Sequence, residues 1–144
     1  MSADTIAERS REVVDEFSML DDWEDRYTHL IEHARSLPAL DQRHRTDDYR
    51  VRGCQSQVWL HAAGEDDRLR LTADSDAIIT KGLVALLLRV LDGQPAPAVR
   101  DADLAFIDEI GLREHLSPAR ANGLAAMVAR IRAAAAEMCG GVDG

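Results

Sequence analysis

The sequence predicts an α+β fold: a small antiparallel sheet of about three strands with helices packed on one face. Three observations predict it. Apolar residues recur at helical spacing toward both ends of the chain. Between residues 58 and 73 the spacing switches to period two. A stretch that is apolar nearly all round follows, as a buried central helix would be.

Residues 5–20 put Ile6, Val13, Val14, Phe17 and Leu20 on one helical face. A second helix is predicted from "DDWE", with Asp21 as cap and Glu24 three residues on, in the manner of a capping box. Its stripe is Trp23, Tyr27, Leu30, Ile31, Ala34 and Leu37, and Pro38 ends it. Residues 39–50 are polar and irregular. Val58, Leu60 and Ala62 then face one way and Trp59 and His61 the other, the latter two on a face that a helix or loop covers. After the turn "GEDD", Leu69, Leu71 and Ala73 alternate with Arg68, Arg70 and Thr72. This is a hairpin with one buried face, and the segment around Val51 is the candidate third strand. "DSDAIITKGLVALLLRVLDG" is the central helix, capped by Asp74 or Ser75 and closed by Gly93 and Pro95. "DADLAFIDEIGL" gives a short helix. The last helix has Ser117 as cap, Pro118 at its first position and a stripe of Leu124, Met127, Val128, Ile131, Ala135 and Met138.

A chain of 144 residues fits one domain and buries about two-thirds of its unfolded surface, so it needs neither disulfide nor metal to fold. A flexible tail is expected at residues 139–144, around the Gly-rich end. The formal net charge of −9 argues against nucleic acid and against an anionic membrane surface as partners. No apolar run reaches transmembrane length, and the acidic, amphipathic N-terminus lacks the basic head and apolar core of a secretory signal. The expected location is the cytoplasm, where the two cysteines, Cys54 and Cys139, stay unpaired. No CxxC occurs, which removes the zinc ribbon and the thioredoxin-like pair.

Cys54 is the group that asks for chemistry. It stands in "RVRGCQSQVWL" after a glycine and before polar Gln55 and Ser56, whereas a structural cysteine sits in an apolar run. A cytosolic thiol presented in this way is a nucleophile candidate. The last helix breaks two local preferences. Arg120 puts a cation in the first turn, at the positive end of the dipole. Gly123 costs about 1 kcal/mol against alanine inside a helix. Either the helix start lies against another backbone and offers a cation to an anion, or Arg120 points to solvent and Gly123 permits tight packing. Gly82 in the central helix has the packing explanation. His29 and His33 stand at i and i+4 as a metal pair would, but off the apolar stripe and without a third ligand in the pattern, so a solvated face is expected.

"DWEDRYTHLIEHARSLP", "GCQSQVWL", "DSDAIITKGL" and "HLSPARANGL" follow one another in the order and approximate spacing of the SufE family, which the chain resembles from about Phe17 to Ala133. The members of that family are sulfur acceptor proteins that work with a cysteine desulfurase in iron–sulfur cluster assembly. Their fold is a small antiparallel sheet packed with helices. The resemblance implies that Cys54 accepts sulfur as a persulfide, and that Arg120 matches an arginine typical of the family. Arg120 then either stabilises the anionic sulfur or ties the loop down. Cys139 lies beyond the matched blocks and inherits no role.

The resemblance further implies a protein without a cofactor of its own, because pyridoxal phosphate and the difficult chemistry belong to the partner desulfurase. The expected partners are that desulfurase and, as sulfur recipient, a scaffold complex for cluster assembly. The expected docking surface is the loop Gly53, Cys54, Gln55 and Ser56, with Asp74 and Asp76 of the "DSDA" turn. Between encounters the persulfide needs shelter, expected in an apolar pocket near Trp59 or that turn. Two other functions stay open: a module that activates a desulfurase without carrying sulfur, and a cluster scaffold. The scaffold is the weaker, since it needs several ligands at one site and only Cys54 is well placed.

Overall fold

Thr5 opens the first helix by exchanging hydrogen bonds with Glu8. Its hydroxyl accepts the Glu8 N–H at 3.1 Å, and the Glu8 carboxylate accepts the Thr5 N–H at 3.1 Å. The computed structural model describes residues 5–143. Helix α1 (Ile6–Ser18) buries Val13 and Phe17. Helix α2 (Trp23–Ser36) is capped by Asp22, whose carboxylate accepts the Asp25 N–H at 2.9 Å. The cap therefore falls one residue after the expected Asp21, because Asp22 is the last residue with extended backbone. Leu37 is already extended, as the residue before a proline must be. Leu30 and Ala34 form the buried stripe of α2.

Strands β1 (Val58–Glu65) and β2 (Arg68–Ser75) pair antiparallel from Val58↔Ser75 to Glu65↔Arg68. The two-residue turn between them needs a left-handed residue, and Asp66 takes φ 59°, which aspartate tolerates. Leu69, Leu71 and Ala73 point into the core, as their alternation predicts. The third strand is β3 (Gln94–Pro95), paired with the start of β2, giving the order β1-β2-β3. The Val51 segment, expected in that place, makes only one bridge, between Arg50 and Trp59, with the Val51 N–H on the Val58 carbonyl at 2.8 Å. The chain turns away at once into the Gly53 loop, so no ladder extends there.

Helix α3 (Ile78–Leu91) is the buried centre. It packs on α2 almost backbone to backbone: a β-carbon on Gly82 would stand 2.5 Å from the Leu30 carbonyl oxygen. Neither Asp74 nor Ser75 caps it in the expected way. Both belong to β2, and α3 starts after Ala77 without a side-chain cap bond. Asp74 is an interior carboxylate instead, paired with Arg45 and, at 3.2 Å, with Lys81. Short helices α4 (Ala96–Arg100), α5 (Phe106–Glu109) and α6 (Leu112–His115) lead to α7 (Pro118–Asp143). Leu124, Met127, Ile131 and Ala135 of α7 are buried, at the predicted spacing. The helix continues through Asp143 and carries Cys139, in the segment where a flexible tail is expected. Both cysteines are free.

The other face of β1 is covered by residues 41–50. The Arg45 guanidinium lies 4.7 Å over the Trp59 ring, and His44 stacks on His61 at 3.7 Å. His29 and His33 are not on a solvated face. Both are partly buried between α1 and α2 with Phe17 against their rings. His29 Nε2 lies 3.0 Å from the Glu16 carboxylate, and Arg89 of α3 joins Glu16 to His33. Hydrogen bonds from Arg89 hold the Glu16 carboxyl down at about 2, and burial pushes the His33 imidazole below its ordinary value. Among the described residues, no helix is long and apolar enough to cross a membrane.

Candidate functional site

Gly53 takes φ 92°, in the region that favours glycine, and a β-carbon there would meet Ala126 of α7 at 3.3 Å. That bend turns Cys54 inward onto α7. The thiol donates to the Gly123 carbonyl at 3.6 Å, and a β-carbon on Gly123 would stand 3.4 Å from Sγ. The exception at Gly123 thus has a packing cause with a functional neighbour: the bare helix backbone makes the seat of the cysteine.

A pocket of about 340 Å³ opens over this seat. From the loop, Cys54, Gln55 and Ser56 line it; Thr80 comes from α3; Ser117, Ala119, Arg120 and Gly123 come from the start of α7. The expected apolar shelter is therefore a largely polar one, walled by α7 rather than by Trp59. Only Thr80 connects it to the helix that follows the "DSDA" turn. Arg120 is exposed at the rim and makes no ion pair among the described residues. Ser117 Oγ accepts the Arg120 N–H at 3.3 Å, so the serine read as a helix cap also belongs to the pocket wall.

Electrostatics at rest favour the neutral thiol. Burial pushes the Cys54 thiol above its ordinary value, and the Arg50 cation pulls it back only in part. Donation to a carbonyl works in the same direction, because only the protonated form can make that bond. Against these stand Arg120 and the positive end of α7, both of which favour an anion in the pocket.

The "DSDA" turn holds the downstream base of the loop. The Asp76 carboxylate accepts the Gln57 N–H at 3.0 Å; the Gln57 carbonyl accepts from Ser75 Oγ at 2.8 Å and from the Asp76 N–H at 3.2 Å. At the upstream base, Arg130 of α7 donates to the Arg50 carbonyl at 3.3 Å. Of the residues expected to meet a partner, Gly53 and Gln55 are exposed, Ser56 is half-buried, and Asp76 is exposed but engaged with Gln57. Asp74, at 7% exposure and ion-paired, has no free carboxylate to offer. Thr80 and Ala119 were not legible as site residues: nothing in a helical apolar run or after a helix-initiating proline distinguishes them.

Cys139 stands sixteen residues along α7 from Gly123. At about 1.5 Å rise per residue the separation is roughly 24 Å. It cannot reach Cys54 while α7 is intact.

A single thiol seated under a pocket, on a loop pinned at both bases, is the arrangement carried by a sequence block that can be compared with known proteins. Residues 11–135 match the family described as SufE: Fe-S metabolism associated domain. The chain belongs to the SufE family. It is 45% identical over 129 residues to an uncharacterized SufE-like protein of Rhizobium meliloti, covering 86% of this chain and 92% of the relative. It is 37% identical over 120 residues to the sulfur acceptor protein CsdE of Escherichia coli, covering 82% of each. Its fold superposes on the solution structure of a hypothetical protein from Thermus thermophilus with a TM-score of 0.77 at 27% identity, covering 91% of this chain and 96% of that one. The matched span of the SufE domain takes in α2, the Cys54 loop, the hairpin, α3 and the start of α7, so every residue lining the pocket lies inside it.

Proposed function

We propose that this SufE protein accepts sulfur from a cysteine desulfurase as a persulfide on Cys54, stimulates that enzyme by emptying it, and passes the sulfur on to a scaffold for iron–sulfur cluster assembly. The observation that carries the proposal is the seat of Cys54: one thiol, turned in by Gly53 onto Gly123, under a pocket with a cation at its rim. Likeness to a protein named a sulfur acceptor supports it.

In the transfer, the Cys54 thiolate attacks the terminal sulfur of the donor's persulfide. The donor's S–S bond breaks, a new S–S bond forms on Cys54, and the desulfurase thiolate leaves. No net oxidation occurs, and the rate follows the thiolate character and access of Cys54. At rest the thiol is neutral and turned inward, which protects the carrier and slows attack. Docking must draw the loop outward, breaking the bond to Gly123 and freeing the thiol to ionise. Gly53 is the hinge, and the clamps at Arg50 and Gln57 confine the movement to the residues between them. Once loaded, the persulfide folds back into the pocket, where Arg120 and the start of α7 favour its negative charge.

The docking surface consists of the loop with the neighbouring start of α3, where Ile78 is a large hydrophobic 46% exposed, two residues before Thr80. Asp76 serves it by holding Gln57. The test is sulfide release from free cysteine by the desulfurase, with and without this protein. Cys54→Ser is expected to abolish stimulation and Cys139→Ser to leave it unchanged. Full stimulation by Cys54→Ser would favour an activator that carries no sulfur.

A further inference from the structure

At the other end of α3 from Thr80, four side chains from three helices converge: Glu16 of α1, His29 and His33 of α2, and Arg89 of α3. The hydrogen bonds fix what the His33 imidazole offers. His33 Nδ1 lies 2.8 Å from the His29 carbonyl, which can only accept. The proton is therefore on Nδ1, and His33 Nε2 presents a lone pair, now taken by Arg89 at 2.9 Å. His29 Nδ1 lies 3.2 Å from the Glu32 carboxylate and its Nε2 lies 3.0 Å from Glu16. A neutral ring donates through only one nitrogen. Both carboxylates can only accept, so a metal on Nε2 would take the place of the proton that this nitrogen shares with Glu16, with Nδ1 still donating to Glu32.

The ligand atoms of Glu16, His29 and His33 lie within 4.8 Å of one another and all three residues are partly buried. A backbone carbonyl orients one ring and a carboxylate the other, both of them partners that commonly stand behind a metal-bound histidine. Phe17 backs both rings, at 5.0 and 6.5 Å. Two imidazoles and a carboxylate suit a borderline divalent metal, with an open position for water. The guanidinium that now fills the centre has somewhere to go. Arg89 is partly exposed and lines a pocket of about 410 Å³ that also holds the Asp92 carboxylate.

We propose that Glu16, His29 and His33 form a site for a divalent transition metal of the Zn²⁺ type, which Arg89 occupies in the metal-free protein and vacates when the ion binds. The metal would join α1 to α2 in place of the Arg89 bridge and would take no part in sulfur transfer.

The test uses the full chain, free of any tag, carrying Cys54→Ser and Cys139→Ser so that no thiol competes. Titration with Co²⁺, followed by absorption and then displacement with Zn²⁺, is expected to show one ion per chain. His33→Gln and His29→Gln should each weaken binding by at least about tenfold, and Arg89→Gln should tighten it by removing the competitor. In the protein with [¹⁵N]histidine, Zn²⁺ should shift the Nε2 resonances of His29 and His33 while leaving their Nδ1 protons in place. This second readout needs no substitution in the cluster. Absence of saturable binding, or binding that ignores both histidine variants and shifts His44 and His61 instead, overturns the proposal. So does an Arg89→Gln variant that binds more weakly.

Discussion

The sulfur of Cys54 rests against the backbone of Gly123, 3.6 Å from its carbonyl oxygen and 3.4 Å from where a β-carbon would stand. The relationship predicts a size-dependent response. Gly123→Ala places a methyl at the edge of ordinary contact and gains up to about 1 kcal/mol of helix propensity, so its stability to urea should hold or rise. Gly123→Leu cannot share the space and should expel Cys54, with faster alkylation by iodoacetamide. Equal alkylation of the two variants would mean that the seat does not hold the thiol.

The pH dependence of that alkylation follows from the direction of the shift. Burial favours the neutral thiol, so Cys54 should react with a midpoint above that of a cysteine in the unfolded chain. The same linkage gives a small contribution to stability that is whole below the unfolded value and lost as pH rises through the folded one. Addition of the desulfurase should move the midpoint down, since docking removes both the burial and the bond to Gly123. A midpoint at or below the ordinary thiol value in the free protein contradicts the resting state described above.

Arg120 is exposed and sits in the unfavourable turn of α7. Arg120→Ala should therefore change stability by no more than about 0.5 kcal/mol, in either direction. Persulfide transfer to Cys54 should slow several-fold under the same conditions. A collapse of the thermal midpoint with normal transfer by the folded fraction would make Arg120 structural.

Gly82→Ala separates packing from propensity by its sign. In a free helix the change gains about 1 kcal/mol. Here the new methyl meets the Leu30 carbonyl at 2.5 Å, and α2 and α3 must part. The expected result is a net loss of about 1–3 kcal/mol in chemical denaturation. Stabilisation would mean that the two helices cross less closely.

Legibility in the sequence divided along a physical line. Elements with their own period were readable: the alternation of Leu69, Leu71 and Ala73, and the stripe of Leu124, Met127, Ile131 and Ala135, report burial residue by residue. What depends on approach between distant segments was not. The third strand is only two residues long, too short for a pattern, and it lies after α3 rather than at Val51. Asp74 resembles a cap because the strand runs directly into the helix, and its partners Arg45 and Lys81 come from elsewhere. His29 and His33 appeared solvated because Glu16 and Arg89, which cover them, belong to other helices. At the site, Arg120 and Gly123 are each marked by a broken local preference, and Cys54 by its place between Gly53 and polar Gln55 and Ser56. Thr80 and Ala119 break none, and only the fold brings them to the pocket.

Sulfur carriage on Cys54 is tested by the intact mass of the wild-type protein after incubation with a cysteine desulfurase and free cysteine, under non-reducing conditions, followed by peptide mapping. The expected result is a gain of one sulfur, carried by the peptide that contains Cys54, absent from Cys54→Ser and discharged by reductant. A sulfur adduct mapped to Cys139, or no adduct while the desulfurase is fully stimulated, would contradict it.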